Sequence, residues 1–248
     1  MINKKLFLVP NPIKNPKIRL FCFPFAGGST VTYMPWIERF GDEVELILVQ
    51  PPGRGTRINE HPYDNMNSLV EELMLDAAYF TRIPYILFGH SLGSRVAFEL
   101  CCQLKYSEFP LPEYFIASGS KAPHLLKKNN GFYDLPQDKF IQELRKLNGT
   151  PLEVLLNQEL MELLIPMIRA DFKISDTYQS KKNCMPFPIL VLNGDSDTGM
   201  VKDQVVAWSE LTRSVFNIVQ LPGDHFFINQ SICEVITQVK LVVSKILS

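Results

Sequence analysis

Six short apolar runs constrain this chain most, because helical patterns fall between them. The runs are residues 19–24 (RLFCFP), 45–50 (ELILVQ), 85–88 (YILF), 114–117 (YFIA), 189–192 (ILVL) and 215–221 (VFNIVQL). Residues 68–80, 94–104, 201–211 and 232–246 carry apolar side chains at helical spacing. Strands alternating with helices imply an α/β fold with a mainly parallel sheet flanked by helices. The near-continuous hydrophobicity of the runs fits strands covered on both faces.

The alternation breaks at about residues 121–180, where no strand pattern is found and short helices are expected at 136–147, 151–156 and 159–172. Phe140, Ile141, Leu144 and Leu147 have helical spacing, and Pro166 predicts a kink in the third helix. Such an insertion serves either as a lid over a site or as a peripheral helical cap, and the pattern fits both. Phe140, Phe172, Met161 and Met167 read as packing residues at that spacing. Without repeats or a linker, residues 1–248 are expected to form a single domain carrying the insertion.

Composition narrows the function classes. A chain of 248 residues, 46% hydrophobic and 21% charged, can bury a sizeable core unaided. A net charge of -1 provides no global field for nucleic acid or an anionic membrane, and Lys127–Lys128 and Lys181–Lys182 read as solvated loop pairs. Five cysteines at spacings that fit neither a metal site nor CxxC point to a reducing compartment, with Cys22 a buried free thiol. The apolar run near the N-terminus is too short for a secretory signal, and no stretch approaches membrane-spanning length. The expectation is a cytoplasmic, soluble monomer.

The chemistry centres on Gly89-His90-Ser91-Leu92-Gly93. A strand-like run precedes this GxSxG and a helical pattern follows it, the setting of a nucleophile elbow in an α/β-hydrolase fold. The sharp turn exposes the serine hydroxyl, and side chains at the two glycines would collide with the neighbouring strand and helix. The Leu92 N–H at the start of the helix is placed to meet developing negative charge. A second oxyanion donor is expected from the loop Pro24-Phe25-Ala26-Gly27-Gly28, with Ala26 N–H the first choice and Phe25 N–H the second.

A serine hydroxyl needs a general base. Of the four histidines, His61 precedes the elbow, His90 adjoins it and should point elsewhere, and His124 enters the insertion. His225 alone follows both the elbow and an acid-bearing loop, the order this fold requires. That loop, Asn193-Gly194-Asp195-Ser196-Asp197, offers two acids. Asp197 lies deeper and is favoured to orient His225, while Asp195 is expected to brace the loop by hydrogen bonds. No metal site or phosphate-binding glycine motif is found.

Over nearly its whole length the chain resembles the type II thioesterases that accompany non-ribosomal peptide and polyketide synthetases. The resemblance rests on FPFAGG at 23–28, QPPGRGTR at 50–57, GHSLG, SGSKAPH at 118–124, the run 135–178, LNGDSD at 192–197, Trp208 and LPGDHFF at 221–227. It implies Ser91, Asp197 and His225 as a catalytic triad and a mobile helical lid at 121–180. It also implies hydrolysis of stalled or wrong acyl groups from the 4′-phosphopantetheine arm of acyl- or peptidyl-carrier protein domains. The arm would be part of the substrate, so no cofactor is expected. Family members often carry histidine where Phe25 stands and glycine where Asp224 stands. Phe25 is accordingly expected to alter the mouth of the site, and Asp224 to place a negative charge beside the base. Arg54 and Arg57, in the QPPGRGTR loop, are expected to brace structure rather than bind the arm's phosphate. Two rival readings stand beside this one: a carboxylesterase or acyltransferase with the same triad, and a non-catalytic protein that docks on a synthetase.

Overall fold

The computed structural model describes residues 5–125 and 131–248. Lys127 and Lys128 lie outside the described residues, as do positions 1–4. Seven strands form one sheet: β1 (Phe7–Leu8), β2 (Ile18–Phe23), β3 (Val44–Val49), β4 (Tyr85–His90), β5 (Tyr114–Ser118), β6 (Ile189–Gly194) and β7 (Phe216–Leu221), in the order β1-β3-β2-β4-β5-β6-β7. β1 runs antiparallel to β3 and every other pairing is parallel. Each of the six apolar runs is a strand. β1 was not foreseen, because two residues carry no readable period. β2 through β6 are buried along their whole length. β7 departs from that pattern: it is the sheet edge, and only Leu221 is buried.

The helices are α1 (Met66–Met74), α2 (Ala77–Phe80), α3 (Leu92–Tyr106), α4 (Gln137–Leu147), α5 (Leu152–Leu156), α6 (Gln158–Thr177), α7 (Lys202–Val206), α8 (Phe227–Gln230) and α9 (Ile232–Leu247). The single helix expected at 68–80 is two, broken at Asp76, whose φ of -105° and ψ of 20° leave the helical region. The buried stripe Leu69, Leu73, Ala77 and Phe80 keeps helical spacing across the break, so periodicity could not reveal it. Likewise α7 gives way to a 3₁₀ turn at Ala207–Leu211, which seats the buried Trp208. α1 and α3 cover one face of the sheet; α9 and a 3₁₀ segment, Thr30–Trp36, cover the other. Among the described residues no helix is long and apolar enough to cross a membrane.

The connections place the loops. From β2 the chain moves outward to β3 and then returns to β4 on the far side of β2. Crevices in open α/β sheets form where successive connections diverge, beyond the carboxyl ends of the strands. The register pairs Phe23 with Gly89, His90 with Ser118, Ser118 with Leu192 and Gly194 with Leu221. The loops after β2, β4, β5, β6 and β7 therefore open on one edge of the sheet.

Helices α4, α5 and α6 fill the interruption and pack on a small core of their own, built around Phe140, Leu144, Leu155, Met161, Ile165 and Ile168. α6 is longer than expected and continues through Pro166 to Thr177, with Asn157 capping its start by accepting the Leu160 N–H. Phe172 and Met167 belong to the same cluster, so all four side chains read from sequence as packing residues do pack.

In the main core the Phe21 ring stacks on Phe80 with centroids 4.4 Å apart and meets Phe7 and Tyr85 edge-on. Phe21→Ala is expected to lower unfolding stability by about 3–5 kcal/mol, read as a fall in the urea midpoint with the slope unchanged.

Candidate active site

Ser91 sits between β4 and α3 with φ 53° and ψ -113°, a backbone conformation that non-glycine residues seldom adopt. The flanking glycines make this turn possible by close approach. A Cβ at Gly89 would lie 2.3 Å from the Gly93 carbonyl carbon, and one at Gly93 would lie 2.2 Å from the Phe23 oxygen on β2. These are the helix and strand collisions anticipated from the motif. The Ser91 N–H donates to the Ser118 carbonyl at 2.8 Å, tying the elbow to the neighbouring strand.

Three of the expected residues come together in a hydrogen-bonded line. Ser91 Oγ is 3.0 Å from His225 Nε2, and His225 Nδ1 is 2.7 Å from Asp197 Oδ2. An ionised carboxylate only accepts, so the imidazole proton sits on Nδ1 and the Nε2 lone pair faces the Ser91 hydroxyl. The Asp197 side chain is buried and its Oδ1 accepts the Gly199 N–H at 3.0 Å. Asp195, the competing acid, stays exposed. It accepts from the Gly223 N–H at 3.1 Å and the Ser196 hydroxyl at 2.8 Å, bracing the acid loop against the histidine loop. The Asp224 carboxylate accepts from the Phe226 N–H at 2.7 Å and from Gln230 Nε2 at 3.1 Å, holding its own turn. His124 lies elsewhere, 3.5 Å from Glu210.

His90 has a larger part than sequence reasoning gave it. It is fully buried and points away from the cavity, as expected, but its Nε2 is 2.9 Å from the His225 carbonyl oxygen and its Nδ1 2.8 Å from Ser118 Oγ. A carbonyl only accepts, so His90 carries its proton on Nε2, and its Nδ1 accepts a hydrogen bond donated by the Ser118 hydroxyl. Burial, and secondarily the neighbouring His225, hold the His90 pKa well below the ordinary 6.5, which keeps this arrangement neutral. Phe25 corrects a second expectation. It is 7% exposed, with its ring 5.8 Å from His90 and 5.2 Å from Phe226, so it packs beneath the histidines instead of framing the mouth.

The loop after β2 is a type II turn: the Gly28 N–H donates to the Phe25 carbonyl at 2.8 Å and Gly27 takes φ 76°. Among the described residues neither the Ala26 N–H inside this turn nor the Leu92 N–H at the start of α3 has a hydrogen-bond acceptor. The turn is clamped from the insertion. Asp171 of α6 accepts the Gly27 N–H at 2.7 Å and forms a two-pronged pair with Arg54, both contacts at 2.8 Å. Arg54 also donates to the Gly28 carbonyl at 2.9 Å. Arg57 donates to Glu72 and Glu60, so both arginines brace structure. One signal for Asp171 was available: an acid standing on the stripe of Met161, Ile165, Ile168 and Ile174, all of them buried.

Ser91 and His225 open on a cavity of about 390 Å³, also lined by Arg95, Lys121, Leu147 and Met200. A carboxylate-oriented imidazole facing the hydroxyl of a half-buried serine on a strained turn, with unused N–H groups beside it, suits nucleophilic attack on a carbonyl.

Comparison with known proteins agrees with this geometry. A family model described as "Thioesterase domain" matches residues 18–240. The chain is 38% identical to the gramicidin S biosynthesis protein GrsT of Aneurinibacillus migulanus, over 94% of this chain and 91% of the relative. Among solved structures it is similar to RedJ, a thioesterase of the prodiginine biosynthetic pathway in Streptomyces coelicolor, with a TM-score of 0.84 at 32% identity, covering 94% of this chain and 90% of that one. It also matches ClbQ, from the colibactin NRPS/PKS pathway, with a TM-score of 0.87 at 31% identity, covering 94% of this chain and 100% of that one.

Asp171→Ala leaves Arg54 buried without its partner and is expected to lower stability by about 3–5 kcal/mol in urea unfolding. His90 generates a pH test. The unfolded chain protonates this imidazole below about pH 6.5 while the folded chain does not, so folded stability falls as pH drops through that value. The contribution reaches about 1.4 kcal/mol per pH unit. His90→Gln should therefore lose less stability than the parent between about pH 7.5 and 5.5, whatever its stability at neutral pH.

Proposed function

The chain belongs to the thioesterase-domain family, and from that premise we propose that it hydrolyses acyl thioesters held on the 4′-phosphopantetheine arm of carrier proteins, in support of non-ribosomal peptide or polyketide synthesis. The observation that carries the reading is the Ser91–His225–Asp197 line opening on the cavity.

In this scheme Ser91 Oγ attacks the thioester carbonyl carbon while His225 Nε2 takes the hydroxyl proton. Asp197 holds the resulting imidazolium. The N–H groups of Leu92 and Ala26 receive the oxyanion, and Asp171 and Arg54 fix the turn that presents Ala26. Collapse breaks the C–S bond, His225 returns its proton to the departing sulfur, and the pantetheine thiol leaves with the acyl group on Ser91 and the imidazole neutral again. A thiolate leaves readily, so protonation of the leaving group is less demanding than in amide cleavage. Water then attacks the acyl-enzyme, His225 takes its proton, and Ser91 recovers its hydroxyl as the carboxylic acid departs.

Helices α4 to α6 serve as a lid in this reading, within a single domain. Leu147 and Asn148 at the end of α4 line the cavity, and Asp171 of α6 ties the same segment to the turn after β2. No cofactor is required, because the arm arrives with the substrate. A cytoplasmic setting is in keeping with five unpaired cysteines.

Ser91→Ala is expected to reduce hydrolysis of an acyl-carrier thioester by on the order of 10⁴-fold or more. Undiminished turnover by that variant would refute the scheme. An oxyester of the same acyl group, assayed beside the thioester, tests the esterase rival: the thioester should be the faster substrate.

A further inference from the structure

Arg95 lies one helical turn after Ser91 on α3 and is only 6% exposed. It lines the same 390 Å³ cavity as Ser91 and His225. Its Nη1 donates to the carbonyl and the hydroxyl of Ser175, each at 2.9 Å. Its Nε is buried with no hydrogen-bond partner among the described residues.

A second cation, Lys121 in the loop after β5, lines this cavity too. The acids on the wall are committed elsewhere, Asp197 to His225 and Gly199, and Asp224 to Phe226 and Gln230. Among the described residues no carboxylate pairs with Arg95 within 4.0 Å, although Asp176 favours its charge through space. Burial brings the Arg95 pKa down to about 10 despite Asp176. Burial, and next the charge of Arg95, lower that of Lys121, with Asp197 opposing. Arg95 is buried while Lys121 is half-exposed, and a buried guanidinium with a like charge near it and no paired carboxylate is unfavourable unless a ligand supplies an anion.

We propose that Arg95 and Lys121 form an anion subsite beside Ser91 that binds a carboxylate on the acyl group, so that acyl groups ending in a second carboxylate are preferred over neutral ones. This inference rests on the thioesterase reading above. The phosphate of the arm is the other anion such a substrate carries. It lies two amide units from the sulfur, whereas Arg95 is a single helical turn from the nucleophile.

The test uses two isosteric pairs of thioesters, malonyl against isovaleryl and succinyl against 4-methylpentanoyl. Each is presented on a holo carrier protein and on N-acetylcysteamine, which has no phosphate. The parent enzyme is expected to show the higher kcat/KM for the carboxylated member on both carriers. Arg95→Met should cut that ratio by about tenfold or more, the effect of losing a charged hydrogen bond, and Arg95→Lys should keep most of it. Lys121→Met supplies the same reading should the Arg95 variants not fold.

A ratio at or below one in the parent, or unchanged in the Met variants, overturns the inference while leaving hydrolysis intact. A loss seen only on the holo carrier, and equal for both members of a pair, overturns it in favour of phosphate. Failure of the parent to cleave any of the four thioesters would instead remove the thioesterase reading itself.

Discussion

Where β2 and β4 run side by side, α3 must leave the sheet through a gap that admits no side chain. The backbone of Gly93 lies against the Phe23 and Pro24 carbonyls, and that of Gly89 against α3 itself. This contact sets where the helix begins, and hence where Ser91 points and where the Leu92 N–H stands. Because Phe23 and Gly89 are register partners, the turn after β2 leaves the sheet beside the elbow. Ser91, the proposed nucleophile, and both candidate oxyanion donors thus share one geometric origin, and the acid and histidine loops join them from β6 and β7.

A layer of polar groups beneath the site holds this arrangement without adding charge. Ser118, His90 and the carbonyl of His225 form a neutral chain whose proton positions follow from which atoms can only accept. The backbone of His225 is therefore fixed from below while its ring is fixed from the side by Asp197. Charge appears in the turn after β2 as well, where Asp171 and Arg54 are buried as a two-pronged pair and both also bind that turn. A buried pair of this kind is weak as a source of stability and strong as a source of geometry. Here it links the helical insertion to a loop whose backbone direction matters.

Much of this was readable from the chain. The six apolar runs gave six strands, and GxSxG with its flanking pattern located Ser91. Histidine order singled out His225, and the second aspartate of GDSD is the one that meets it. These features depend on local sequence and on chain order. What escaped depends on distance in space. Asp171 and Arg54 are 117 positions apart, and His90 reaches His225 across 135. No period or spacing encodes such pairings; they exist only once the sheet register is known. Phe25 was misread for the same reason, since its neighbours His90 and Phe226 come from the end of β4 and from the loop after β7. The break between α1 and α2 was hidden because side-chain burial continues unbroken across it.

The backbone of Ser91 has a consequence for how such a chain evolves. A serine held at φ 53° and ψ -113° keeps about 1–3 kcal/mol of strain that glycine would not feel. The fold is therefore less stable with serine at this position than with glycine, and if Ser91 is the nucleophile proposed above, this is activity opposing stability. Selection for folding alone would favour glycine at position 91. Persistence of serine there across a lineage would record continued demand for the chemistry, and its replacement by glycine would be an early sign that the demand had lapsed while the architecture remained.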